Sequence, residues 1–235
     1  MISAIYTPLF RGDSRTLTIT MKLEKEILLK LIGIFLFAAA MGYMESAVVV
    51  YLRALYYPAG FHIITQESLK SIPPKMLFTE TGREFVTIVM LVSLSILVER
   101  KDITKRIAYF LFTFSIWDIF YYVWLKVLVR WPETFLTNDI LFLIPRVWLA
   151  PVLAPIIISV SLIIISLFML SSKKEISSFK ELLEMWKYWL YILAAVWLIV
   201  SGLILWQHRS VYLWSNVVTG LFIIFLTLTI ALARS

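Results

Sequence analysis

Cysteine is absent from all 235 residues, which excludes disulfides, thiolate zinc sites, iron–sulfur clusters and a cysteine nucleophile. Histidine is nearly absent: His62 and His208 stand alone outside the apolar runs and cannot give a haem paired axial ligands. Glycine numbers only seven, and no P-loop, H-E-x-x-H or G-x-S-x-G motif occurs. Charged residues make up only 16% of the chain, without the regularly spaced arginine ladder of a voltage sensor. No carbonyl filter of the potassium-channel type appears either. None of these features calls for a cofactor or a resident metal.

What is present is apolar. Hydrophobic residues reach 61% and mean hydropathy is +0.89, whereas soluble domains carry about 25% charged residues. The expected fold class is therefore all-α: a polytopic membrane protein built as one bundle of about six transmembrane helices. Six runs approach the roughly 20 apolar residues that a spanning helix needs. They lie near Ile27–Tyr57, Phe85–Val98 (with a Thr81–Glu84 start), Ile107–Val129, Val147–Leu170, Trp186–Trp206 and Val211–Ala233. No internal repeat relates the two halves, which argues against an inverted-repeat transporter.

Lysine and arginine set the orientation. Arg11, Arg15, Lys22, Lys25, Lys30, Arg100, Lys101, Lys105, Arg106, Lys173, Lys174, Lys180, Lys187 and Arg234 share one side with both termini, leaving eight opposite. Both termini are thus expected in the cytoplasm of a cell-membrane protein. That bias accounts for the net charge of +7 without nucleic acid as a partner. The partners expected are the lipid bilayer and either a second copy of the chain or a membrane subunit.

Residues 1–26 read as a cytoplasmic tail, with 1–20 a disordered stretch or an overhang before a start at Met21. No signal-peptide pattern occurs there. The 27–233 transmembrane domain is expected to carry outer loops at 58–80 and 130–146. A cytoplasmic interfacial pre-helix is expected at 178–187. Thr81-Gly82-Arg83-Glu84 has capping-box spacing for the start of the second helix. Pro151 and Pro155 predict a kink near the entry of the fourth.

The residues that lipid penalises carry the functional reading. Asp118 falls about 17 Å into the third helix, with Tyr122 and Lys126 on the same i, i+4, i+8 stripe. Glu45 sits on the face of Ala38, Gly42 and Ser46, a small-xxx-small pattern that brings helices close, and Arg53 lies on that side. Glu80 to Glu84 stand at the mouth of the second helix. Depth places Glu45, Arg53, Arg83, Glu84, Asp118, Tyr122 and Lys126 in one half of the bilayer. The expectation is one outward-open polar cavity, roofed by loops holding His62, Asp139 and Arg146.

Each residue also has a structural reading: Glu84 as a cap, Arg53 and Lys126 snorkelling to headgroups, Arg83, Glu45 and Asp118 as buried ion-pair members, Tyr122 as packing. Three functional classes fit the set. A small carrier or channel would use the carboxylates as protonatable groups. A membrane-embedded enzyme would use them as acid/base or hard-metal ligands on a lipid or amphiphile. A non-catalytic subunit would use them to pin helices together.

Overall fold

The computed structural model describes residues 14–58, 72–143, 147–171, 191–199, 201–202 and 214–233. The fold is an all-α helical membrane bundle. Its elements run α1 (Ser14–Tyr56), α2 (Pro74–Val98), α3 (Ile103–Val129), β1 (Asn138–Phe142), β2 (Trp148–Pro151), α4 (Leu153–Ser171), α5 (residues 191–199) and α6 (Trp214–Ala233). Among the described residues, α1 to α4 are long and apolar enough to cross a membrane, and α6 adds a shorter apolar stretch.

Several boundaries differ from the sequence expectation. Residues 14–26, expected as tail, continue α1, which is 43 residues long. Residues 74–80, expected in an outer loop, form the first turns of α2. Pro74 occupies the first helical position, where its missing N–H has no intrahelical partner to lose and its fixed φ suits the helix. Thr81 and Glu84 are consequently mid-helix and no capping box forms. The Thr81 hydroxyl bonds back to the Leu77 carbonyl, and Glu84 turns to a different element. The pre-helix at 178–187, with His62, His208 and Arg146, lies outside the described residues.

At the end opposite the hairpin, α2 passes to α3 through a tight loop. Asp102 caps α3 by accepting from the N–H groups of Thr104 (2.9 Å) and Lys105 (3.2 Å). The Arg106 guanidinium satisfies the carbonyls of Glu99 (3.1 Å) and Arg100 (2.8 Å). At its other end α3 closes on Arg130 in the left-handed region, φ 58, two residues before Pro132, which cannot continue a helix.

Small residues bring α1 onto α3. A Cβ at Gly42 would lie 3.0 Å from the Trp117 carbonyl oxygen and 3.1 Å from Phe120, so the two backbones are nearly in contact there. Ser46 donates within bonding distance of both Gly42 O and Tyr121 O (2.8 Å each), and the Trp124 indole N–H donates to Ala39 O (2.9 Å). Such interhelical polar contacts and close packing drive association where lipid supplies no hydrophobic contrast. An apolar core of Ile34, Ala38, Leu91, Phe112, Ile116 and Met169 fills the half of the bundle away from the hairpin.

The hairpin replaces the simple outer roof expected over 130–146. β1 and β2 pair antiparallel, Asp139 opposite Ala150 and Phe142 opposite Trp148, with an irregularity between Ile140 and Phe142. Its depth follows from two contacts. Asp139 lies near the hydroxyls of Tyr121 and Tyr122, while Phe142 stacks on Phe114, ring centroids 6.4 Å apart. Eight helical steps from Tyr122 to Phe114 cover about 12 Å. Three strand steps from Asp139 to Phe142 cover about 10 Å in the same direction. Phe114 is near the middle of α3, so the hairpin reaches the centre of the bundle.

Non-helical backbone is tolerated at that depth only when protein encloses it and its polar groups are paired. Glu84 provides such a partner, accepting the Leu143 N–H at 2.9 Å. The strands also change the entry of α4. Pro151 ends β2, and Pro155 is the third residue of α4, where its absent N–H breaks no intrahelical bond. The predicted proline kink is therefore not formed.

Candidate functional site

Between α1, α2, α3 and the hairpin lies a cavity of about 120 Å³. Six of the seven sequence candidates line it: Glu45, Arg53, Arg83, Glu84, Asp118 and Tyr122. Lys126 does not. Its ammonium donates to the Pro132 carbonyl at 2.7 Å and ties down the turn after α3, although it shares a helix stripe with Asp118 and Tyr122. Tyr57, Glu80, Tyr121 and Asp139 add to the polar lining.

Two charged clusters form the walls. Arg83 joins helices α1 and α2: its Nη1 meets Glu45 Oε2, and its Nε donates to Glu80 Oε2 at 2.7 Å. Glu80 stands three residues before Arg83, on the same helix face, a spacing that could have revealed it. Arg53 is buried, not snorkelled. It lies 3.6 Å from Asp139 Oδ1, with its guanidinium carbon 3.9 Å from the centroid of the Trp131 ring. The planar guanidinium suits both a carboxylate and an aromatic face.

Asp139 is 2% exposed in the re-entrant hairpin. Burial pushes its carboxyl up to about 6, against the opposing pull of Arg53 and of the Ile140 N–H. The hydroxyls of Tyr121 and Tyr122 lie beside the same carboxyl. No local sequence pattern announced its position, because the residue that receives it, Arg53, is on a helix two spans earlier.

Two further carboxyl groups meet neutral partners. Asp118 Oδ2 accepts from the Ser159 hydroxyl of α4 at 2.7 Å, so α4 contributes to the site although no residue of it was a sequence candidate. Glu84 meets the backbone N–H of Leu143. Among the described residues neither forms an ion pair, and no group of three acids or histidines converges on a point that could hold a metal ion. Near Asp118, Trp117 packs edge-on against Phe114, which stacks on Phe142 of the hairpin. No protein family, curated protein or solved structure matches the chain.

Proposed function

We propose that this chain is a small carrier of the cell membrane whose substrate site is the hairpin-lined cavity, open to the exterior, with both termini in the cytoplasm. The observation that supports it is the convergence of carboxyls from α1, α2, α3 and the hairpin on one polar volume of about 120 Å³ inside an apolar bundle. Intramembrane acids are costly to insert, and they recur along substrate and proton pathways. The lysine and arginine bias assigns the sides.

The aromatic packing of Trp117, Phe114 and Phe142 near Asp118 favours a second reading, an enzyme that works on an amphiphile from one side only. Hard-metal chemistry receives no support, given that no described acids cluster to ligate an ion. General acid/base work by Asp118 or Glu84 would remain.

Proteoliposomes loaded with pyranine separate the readings. They would be challenged with amines, amino acids and small carboxylates, and solute-driven proton movement recorded. A carrier gives movement that falls below about a tenth in Asp118→Asn, the loss expected when a charge-assisted contact worth about 1.5–3 kcal/mol is removed. Equal movement in wild type and Asp118→Asn refutes it. Turnover of an added lipid without any flux supports the enzyme.

A further inference from the structure

The cavity carries five carboxyl groups and two guanidiniums in its lining. Both arginines face carboxylates already: Arg83 holds Glu45 and Glu80, and Arg53 faces Asp139. Among the described residues, Glu84 and Asp118 have an N–H and a hydroxyl for partners. An anion would therefore find carboxylates wherever it approached a guanidinium, and like charges placed together in a poorly screened site repel strongly. A cation meets the reverse situation.

Three independent features narrow the cation. Asp139 adds a further buried carboxyl to the lining. Trp117, Tyr121 and Tyr122 line the same space, and aromatic rings attract positive charge. The volume is also small. A cavity of about 150 Å³ accommodates benzene, so 120 Å³ suits a compact head with a short carbon chain.

We propose that the ligand of this cavity is a small protonated primary amine, its ammonium held by Glu84 and Asp118 and its short alkyl part against Trp117. An ammonium has three N–H donors and no acceptor, which matches a lining rich in open acceptors. The inference rests on the carrier reading only in taking the cavity to be a ligand site.

The test uses the full chain in lipid nanodiscs, with radiolabelled ethylammonium as the probe. Saturable binding is expected, weakened at least about tenfold in Glu84→Gln and in Asp118→Asn, since each removes one charge-assisted hydrogen bond. Both substitutions keep an oxygen for Leu143 or Ser159. Glu133→Gln, on the exposed loop after α3, should bind like wild type. Should either cavity variant fail to fold, competition on the wild type decides: tetramethylammonium, which has no N–H, must displace the probe at least about tenfold less well than methylammonium.

Absence of ethylammonium binding to folded wild type, unchanged affinity in both cavity variants, or preferred binding of acetate or phosphate each overturns the inference. Ethylammonium binding without transport would defeat the carrier reading alone. Transport of another solute without ethylammonium binding would defeat this inference alone.

Discussion

Glu84 offers the sharpest test, because its two readings predict changes in different places. In the structure its carboxylate accepts the Leu143 N–H at 2.9 Å, joining α2 to the deep end of the hairpin across 59 residues of chain. Glu84→Leu keeps the side-chain bulk and leaves that N–H without a partner in the interior of the bundle. An unsatisfied buried donor costs about 1–3 kcal/mol. Protection of the Leu143 amide should therefore drop by about 5- to 150-fold. Glu84→Gln retains an acceptor oxygen and should lose much less. Hydrogen exchange resolved to this peptide, with thermal unfolding in nanodiscs alongside, reads both variants. A helix cap would behave otherwise: its loss would loosen residues 81–87 and leave the hairpin protected. If Glu84→Leu accelerates exchange at residues 81–87 and not at Leu143, the packing described here is wrong.

Three other outcomes follow from the same geometry. Gly42→Leu should destabilise the bundle by more than the 1–3 kcal/mol usual for overpacking, because its Cβ alone would press on the Trp117 carbonyl and Phe120; reconstituted thermal stability reads it, and Gly33→Leu, where a Cβ meets nothing, should be mild. With no native cysteine, Phe142→Cys gives a single thiol, which a membrane-impermeant maleimide should fail to label in intact vesicles while Glu133→Cys is labelled readily. Finally, the Asp139 carboxyl, raised from about 3.8 to about 6, binds its proton more tightly folded than unfolded. Its contribution to stability is complete below pH of about 4 and disappears as pH rises through about 6, so stability measured from pH of about 4 to about 7 should fall more in wild type than in Asp139→Asn.

Helix positions were legible because lipid leaves few choices: a long apolar run must pair its own backbone, and α1 to α4 follow from that constraint. The stripe of Ala38, Gly42 and Ser46 was legible for a related reason, since close approach without a hydrophobic contrast needs small side chains, and α3 does pack there. The inward direction of Glu45 and Asp118 followed from the cost of a carboxylate in hydrocarbon.

The re-entrant hairpin was not legible. Asn138–Phe142 and Trp148–Pro151 are short apolar runs whose periodicity does not distinguish a strand from the beginning of a helix. Nothing local showed that Glu84 pairs with Leu143, that Arg53 is buried against Trp131 and Asp139, or that Lys126 turns away from Asp118 on its own stripe. Sequence by itself determined where the long apolar helices lie and which polar groups must avoid lipid, because transfer free energy acts residue by residue. Only the tertiary structure decided which of those groups meet, because a hydrogen bond or ion pair depends on where distant stretches of chain are brought together.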